Sequence, residues 1–593
     1  MTQPQKRIKE AVQKTLKELF SQEATDSQVQ IQPTRKEFEG EFTLVVFPLL
    51  KISKNSPEKT GELIGEKLMT QLPIQSFSVV KGFLNLKMTT DFWTDHLKQT
   101  YNEESYGFRP SRSKPLVMVE YSSPNTNKPL HLGHLRNIFL GHSVSEILKA
   151  FGHEVKKVQI INDRGIHICK SMVAWQKFGD GETPQSSGLK GDHLVGKYYV
   201  RFNEELKEEI KQLQAQGLSS EEAEIRAPLM QEARETLKKW ENRDPEVYEL
   251  WEKLNSWVYD GFDQTYYTMG VDFDKLYYES DTWAIGKKKA LKALDDGVFF
   301  KKEDGSVWVD LSEDGLDEKL ILRKDGTAVY MTQDIGTAII RYEEFPGLSK
   351  MVYTVGNEQE YHFKVLFLIL EKLGYEWAKD CHHLSYGMVE LPEGKMKSRE
   401  GTVVDADELM SEMVSTAENI TTELGKLDGL EPAEKNELYS EIGLGALKYF
   451  LLRVDPRKNM LFDPKESIDF NGHTGPFIQY AHARIQSLLR NAGDVDTEVL
   501  LEGDLSSYER HLHMRILDYP QIIESSAEAY NPAILANYLY ETAKEFGSFY
   551  QNVPILKADT ENQKDYRILL SAVIGRILKS GMGLLGIQVP DRM

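Results

Sequence analysis

One segment of the chain concentrates residues that could bind and polarise phosphate groups. It reads EYSSPNTNKPLHLGHLRN from position 120 and contains Lys128, His131, Gly133 and His134. An apolar run precedes it and apolar residues at helical spacing follow it, which predicts a strand, a turn and a helix. Backbone N–H groups at a helix start favour anions, and a glycine lets a ligand approach the backbone. The segment therefore suits a polyphosphate, with capping or packing as the alternative role of the histidines.

A second run, GKMKSREG at 394–401, is cationic and bounded by glycines. A basic loop of this kind can close over a triphosphate and stabilise the charge on departing pyrophosphate. A lysine-rich surface loop without a ligand is the alternative. The residues of interest here are Lys395, Met396, Lys397 and Ser398.

The segment at 120–137 closely resembles the His-Ile-Gly-His signature of class I aminoacyl-tRNA synthetases, and its flanks resemble arginyl-tRNA synthetase. The run at 394–401 resembles the second signature, Lys-Met-Ser-Lys-Ser, but Ser398 stands where that signature has its second lysine. Many arginyl enzymes lack that lysine and carry one just before the histidines. The resemblance therefore implies that Lys128 supplies the phosphate-stabilising charge, with Lys395, His131 and His134 as the other catalytic residues. A slow or inactive enzyme is the alternative.

The resemblance also implies a pocket for arginine. A guanidinium needs acceptors in paired, planar geometry, usually from a carboxylate. We expect Asp334, in the first turn of a helix, and Tyr330 to line the side-chain pocket, whereas Asp334 as a plain N-terminal helix charge is the alternative. The resemblance places Glu120, Asn125 and Gln359 on the other polar groups of arginine. It places ATP against Gly133, Gly356, His362, Met396, Lys397 and Ser398.

Composition limits the class of protein. The chain has 593 residues, 40% hydrophobic and 28% charged, and a net charge of −20, which argues against a non-specific nucleic-acid coat. Cys169 and Cys381 are far apart, so we expect no zinc site and no metal ligands from the protein. The N-terminus has no apolar signal core and no segment is long and apolar enough for a membrane span. We expect a cytoplasmic protein.

The order of elements predicts an α/β protein with three parts. Residues 1–110 form an α/β module, which in the resembled family contacts the outer corner of the tRNA; a stabilising appendage is the alternative. Residues 111–425 alternate strands and helices, which predicts a Rossmann-like parallel sheet with ligands at the carboxyl ends of its strands, interrupted by a charged helical insertion at about 180–255. Residues 426–593 are helical and resemble an anticodon-binding domain. There, Tyr480 and Arg484 are predicted tRNA contacts or, alternatively, packing residues.

The resemblance implies an arginine–tRNA ligase. Such an enzyme uses ATP, accompanied by Mg²⁺, to activate L-arginine as an adenylate and then transfers arginine to the 3′-terminal adenosine of tRNA(Arg). We expect a monomer. The alternatives are a class I synthetase for another amino acid, a non-catalytic tRNA-binding paralogue and a nucleotidyltransferase with a similar sheet.

Overall fold

The computed structural model describes residues 3–35, 37–390, 404–424, 431–501 and 503–593. Within these residues the chain builds an antiparallel α/β module, a parallel sheet covered by helices and a group of long helices, in that order. Among the described residues, no helix combines the length and the apolar character needed to cross a bilayer.

The N-terminal module is a four-stranded antiparallel sheet packed against helices. Lys81 and Gly82 both have positive φ, at 50° and 78°, and form the tight turn that joins its two longest strands. The opening helix buries Ile8, Val12 and Leu16. Leu19, in the last turn of the same helix, is 39% exposed. The strands, in sheet order, are Ile31–Pro33, Phe42–Val45, Phe83–Met88 and Ile74–Val80, and the helices are Gln3–Phe20, Leu50–Ser53, Pro57–Met69 and Thr90–Asn102.

The centre of the molecule is a five-stranded sheet in which every pair is parallel, as the sequence predicts. Successive residues of its middle strand enter different cores. Val117 and Val119 pack with the helix after the histidines, whereas Met118 packs with Ile335 on the opposite side. Both faces of the sheet are therefore covered. The strands, in sheet order, are Cys381–Tyr386, Leu348–Gly356, Lys114–Glu120, His153–Ile161 and Lys275–Tyr278.

Helices connect these strands and supply the covering layers. The histidine helix, Leu132–Ala150, follows the middle strand, and the Asp334 helix, Tyr330–Glu344, precedes the strand Leu348–Gly356. The other covering helices are Ile166–Phe178, Glu279–Asp295 and Glu360–Lys372. A small antiparallel sheet that the sequence analysis missed consists of the short strands Phe300–Lys301, Val307–Val309 and Lys319–Leu322.

The charged stretch near 180–255 is helical, as predicted. Its first long helix, here named the insertion helix, spans Gly191–Ala215 and buries Leu194 and Phe202. Charged side chains cover its outer face, so the charge-rich composition marks solvent exposure and not disorder. The other helices of this region are Pro184–Ser187, Ser220–Arg226, Pro228–Glu241 and Pro245–Met269.

The C-terminal part is built from long helices around a common core. Asn531 begins one of them, since its side chain accepts from Ala533 N at 3.0 Å. The apolar residues Leu535, Leu539, Phe546 and Phe549 of that helix are buried. A short strand, Met460–Leu461, interrupts the helical pattern and pairs in parallel with Val389–Glu390. The helices are Ala406–Leu424, Pro432–Leu452, Pro464–Ser467, Gly475–Ala492, Ser507–Glu528, Pro532–Asn552 and Glu561–Leu584.

Candidate active site

The predicted histidine pair lies at the start of the histidine helix. His131 is the residue that caps this helix, and its Nδ1 accepts from Gly133 N at 3.2 Å. His134 Nδ1 accepts in turn from His131 N at 3.1 Å. Burial, reinforced by the positive charge of Lys128, lowers the pKa of His131 to about 3, and burial holds the pKa of His134 well below its usual value. Both rings are therefore neutral, and because Nδ1 accepts, each carries its proton on Nε2 as a donor.

Lys128 lies close enough to both rings to depress their pKa values. Its own pKa is lowered by burial. The structure thus brings Lys128, His131 and His134 together, as the sequence analysis expected. One cation and two neutral N–H donors at a helix N-terminus form a surface that suits phosphate oxygens.

The chain reaches this turn through an unusual backbone. Ser122 and Ser123 both have positive φ, at 74° and 46°, which non-glycine residues rarely adopt. Asn137 of the histidine helix holds Ser122, whose N–H donates to Asn137 Oδ1 at 2.6 Å. Asn125 then lies exposed outside the strands and forms an isolated parallel bridge with Asn162. The turn is therefore built by surrounding side chains and not by glycines.

Glu120 differs from expectation in its partner. It is buried at the end of the middle strand, and its carboxylate forms an ion pair with Arg341 of the Asp334 helix. Arg341 is fully buried, and Tyr277 and Tyr353 lie 4.8 and 5.8 Å from its guanidinium carbon. The structure therefore assigns Glu120 an internal cation. Arg341 was not among the predicted site residues, although its place directly after Ile339 and Ile340 suggested a partly buried position.

Asp334 and His362 were expected to face different substrates, but they contact each other. His362 Nε2 lies 2.6 Å from Asp334 Oδ2, and the Asp334 side chain remains 40% exposed. Asp334 is the fifth residue of its helix, so the expected position in the first turn was wrong; the helix begins at Tyr330 and has no acidic residue in its first turn. Tyr330 itself is 73% exposed.

Two further predicted residues precede His362 in the chain. Gly356 ends a strand, and a Cβ there would come within 2.4 Å of the Glu358 carboxylate. Gln359 is exposed in the single turn that precedes the helix of His362. Lys395, Met396, Lys397 and Ser398 lie outside the described residues.

Glu279 is a carboxyl group near Asp334 that the sequence analysis did not select. It begins the helix after the edge strand Lys275–Tyr278 and is buried. Burial raises the pKa of Glu279 to about 7, and the negative charges of Asp163 and Asp334 add to this rise while Arg164 opposes it. The signal available in the sequence was an acidic residue directly after an apolar strand-like run.

Comparison with known proteins covers all parts of the chain. Residues 6–88 match the family described as Arginyl tRNA synthetase N terminal domain, 96–463 match tRNA synthetases class I (R), catalytic domain, and 478–593 match DALR anticodon binding domain. A protein of Parabacteroides distasonis named arginine--tRNA ligase is 56% identical, over 98% of each chain. The chain belongs to the arginyl-tRNA synthetases. A Bacteroides thetaiotaomicron protein of the same name is also 56% identical over 98% of each chain.

A solved structure supports the same relationship for this arginyl-tRNA synthetase. The Thermus thermophilus arginyl-tRNA synthetase superimposes with a TM-score of 0.75 at 26% identity, covering 99% of this chain and 100% of the other. A Plasmodium falciparum arginyl-tRNA synthetase at 20% identity shares the fold, with a TM-score of 0.73.

In the C-terminal part of the synthetase, the predicted tRNA contacts line a cavity of about 450 Å³. Arg484 lies over the rings of Tyr480 and Tyr550, at 4.7 and 5.1 Å from their centroids. His482, on the same helix, is buried and bonds to Pro590 O at 3.0 Å, so it is a packing residue. Aromatic faces beside cations suit unstacked bases. The other residues around the cavity include Phe470, Phe477, Lys544 and Met593.

Asp192, His193 and Asp407 of the synthetase come together closely enough to resemble a metal site, with one ligand atom from each within 4.8 Å of the others. Lys190 Nζ contacts Asp407 and lies 3.3 Å from Asp192 Oδ2. A lysine and a histidine thus supply the positive charge that a metal would bring to this cluster. The group is better described as an ion-pair network.

Proposed function

We propose that this enzyme joins L-arginine to tRNA(Arg) in two steps. The carboxylate of arginine attacks the α-phosphate of ATP, pyrophosphate leaves and arginyl-adenylate forms. The 2′-hydroxyl of the 3′-terminal adenosine of tRNA then attacks the arginyl carbonyl and AMP leaves. Phosphoryl chemistry of this kind requires positioning and charge stabilisation and little covalent chemistry from side chains.

The phosphate half of the site rests on the group formed by Lys128, His131 and His134. The Nε2–H of each neutral ring donates to phosphate oxygens, and Lys128 offsets negative charge that grows as pyrophosphate leaves. Gly133 leaves its backbone open to the nucleotide. The cationic run at 394–401, here named the lysine run, completes this half through Lys395, Met396, Lys397 and Ser398. A magnesium ion accompanying ATP would help to neutralise the phosphate charge, and it would need few ligands from the protein because phosphate oxygens and water would supply the others.

The arginine half of the site rests on the two acidic groups near the strand ends, Asp334 and Glu279. A guanidinium has five N–H donors in a fixed plane and can bind both carboxylates, which explains why two acids lie so close together. Asp334 exchanges its bond with His362 for one with the substrate, and His362 is then free to contact the adenosine next to Gly356. Tyr330, Gln359 and Asn125 border the pocket. Glu120 acts through Arg341, by fixing the floor of the site.

The tRNA half of the reaction rests on the two outer parts of the chain. Tyr480 and Arg484 bind anticodon-loop bases in the C-terminal cavity, and the N-terminal module contacts the outer corner of the tRNA. We place the domain boundaries at 110 and 425 and the reaction in the cytoplasm. The enzyme acts as a monomer, for which sedimentation equilibrium with and without tRNA is the direct measurement.

The Asp334→Asn variant tests the arginine pocket. Removing one charge of a desolvated ion pair costs several kcal/mol, so the KM for arginine should rise about a hundredfold or more while the KM for ATP stays within about twofold. The assay is arginine-dependent pyrophosphate exchange with tRNA present, repeated with each of the other amino acids. Asp281→Asn, an exposed acid on the neighbouring helix, is the matched control. Wild-type kinetics for Asp334→Asn, or exchange driven by another amino acid, would refute the assignment.

A further inference from the structure

A short backbone bridge joins two segments of the chain. The first is the turn at 128–134 that is proposed above to bind phosphate, here named the phosphate-binding turn, and the second is 404–406, which follows the lysine run in sequence. Leu132 N donates to Val404 O at 3.1 Å, and Ala406 N donates to Leu130 O at 3.0 Å. Between them, His131 and Asp405 face each other as an antiparallel pair. The start of the histidine helix is therefore fixed relative to the start of the helix Ala406–Leu424.

The insertion helix contacts both sides of this bridge within one turn of its own length. Gly196 approaches the first side so closely that a Cβ would lie 2.8 Å from Pro129 Cδ and 3.6 Å from Lys128 Cα. His193, three residues earlier, reaches the second side, with its Nε2 3.2 Å from Asp405 Oδ2 and 3.3 Å from Asp407 Oδ2.

The second contact places the His193 side chain beside two carboxylates in a partly buried position. The carboxylates of Asp405 and Asp407 raise the pKa of His193 to about 10. Burial alone would raise the pKa of Asp407, but His193 and Lys190 outweigh it and lower that pKa to about 2. Thr265 also donates to Asp407 Oδ1, at 3.0 Å. His193 therefore remains a cation at neutral pH and holds the two carboxylates without exchanging a proton.

We propose that the first turns of the insertion helix set the distance between the phosphate-binding turn and residues 404–407, which follow the lysine run. His193 and Gly196 are the positioning residues. The proposal rests on the roles proposed above for Lys128 and His131. Gly196 provides the contact with the turn, His193 provides the contact with Asp405 and Asp407, and the backbone bridge lies between them. None of these groups belongs to the predicted arginine pocket.

This separation predicts which kinetic constant changes. The pocket residues Asp334, Glu279 and Gln359 lie on other elements, so arginine binding should be insensitive to the insertion helix. A displacement of about 1 Å at a reacting group can cost about a hundredfold in rate. Loss of the His193 contact should therefore lower kcat for activation and leave the KM for arginine unchanged.

The His193→Gln variant is the test, measured by arginine-dependent pyrophosphate exchange with tRNA present. We expect kcat to fall by about tenfold to a hundredfold with the KM for arginine within about twofold of wild type. Glu204→Gln, an exposed change on the same helix, should leave both constants unchanged. A His193→Gln enzyme with wild-type kcat, or one in which kcat and the arginine KM worsen together, would overturn the proposal.

Two further variants keep the result interpretable. In the wild-type protein, Asp407 N donates to Asp405 Oδ1 at 2.8 Å. Asp405→Asn keeps a side-chain oxygen that can accept this bond and removes only the charge that faces His193. The double variant with His193→Gln should be no slower than His193→Gln alone, because Asp405→Asn removes one of the two contacts that His193→Gln already removes; additive losses would contradict this. Lys128→Ala distinguishes a failure of the proposed phosphate site from a failure of the positioning role alone. Wild-type activation there refutes the proposed phosphate site, whereas slow Lys128→Ala with unaffected His193→Gln refutes the positioning role alone.

Discussion

At the scale of single residues, burial sets the protonation states of the candidate site. Burial holds His131 and His134 neutral, so in the proposed site both rings can donate an N–H to ATP without first releasing a proton. Burial shifts the pKa of Glu279 in the opposite direction, upward, so its carboxyl tends to keep a proton near neutral pH. In the proposed pocket, the guanidinium of arginine would compensate for the burial of this acid, since a cation beside a carboxylate favours its ionised form.

The pH dependence of arginine binding should reveal Glu279. Below about pH 7 the carboxyl holds its proton, and binding a guanidinium then requires the release of that proton. We therefore expect the KM for arginine to fall as pH rises from about 6 to 8 and to flatten above. In Glu279→Gln the KM should be higher and this trend should disappear, whereas in His362→Gln the trend should persist. A trend unchanged in Glu279→Gln would assign it to another group.

At the scale of elements, close packing holds the histidine helix against the sheet. Gly141 lies where this helix meets the end of the middle strand, and a Cβ there would stand 2.3 Å from Tyr121 Cβ. Arg136, on the same helix, is buried and donates to Gly387 O and Lys458 O, both at 2.7 Å. The helix that begins after His131 is thus fixed on one side by steric contact and on the other by a buried guanidinium.

The Gly141→Ala variant should separate packing from helix propensity. Alanine favours helices by about 1 kcal/mol over glycine, but here the added methyl overlaps Tyr121 and must displace the helix. We expect a net loss of about 1–3 kcal/mol in the free energy of unfolding by urea, together with slower activation. Gly583→Ala is the control, since its Cβ would meet nothing within 4 Å, and it should be neutral or stabilising. Equal stabilisation by both changes would contradict the packing argument.

At the scale of the whole molecule, the N-terminal module rests on the C-terminal helices. Arg510 forms an ion pair with Glu41 at 2.5 Å, and Glu41 also accepts from Met88 N at 2.8 Å. Burial raises the pKa of Glu41, and Arg510 opposes that rise. Arg109 pairs with Glu524, also at 2.5 Å. These contacts join the two parts proposed to bind the tRNA. They therefore fix the distance between those two parts, which a bound tRNA must bridge.

Breaking the Arg510–Glu41 pair should therefore weaken the whole assembly. Arg510→Met leaves the Glu41 carboxylate buried without its cation, which costs about 3 kcal/mol or more in the free energy of unfolding. The double variant with Glu41→Gln should recover part of that loss, because no unpaired charge remains. Lys59→Met breaks an exposed pair with Glu62 and should change stability by less than about 1 kcal/mol. Urea unfolding measures all three, and equal effects of the buried and exposed changes would refute the argument.

The sequence by itself determined the parallel sheet, the helical insertion, the C-terminal helices and the grouping of Lys128 with the two histidines. These features depend on local order: alternating strands and helices specify a parallel sheet, and residues a few positions apart at a helix start must lie close together. The family also followed from the sequence, because the two signatures stand in one chain in the expected order.

Only the tertiary structure decided which charged groups meet across the chain. It paired Glu120 with Arg341, Asp334 with His362, and His193 with Asp405 and Asp407, and it placed Glu279 near Asp334. Each of these residues has a plausible role as an exposed charge when its neighbours in sequence are considered alone. Burial and the arrangement of distant strands and helices determine their partners, and neither quantity can be read from local spacing.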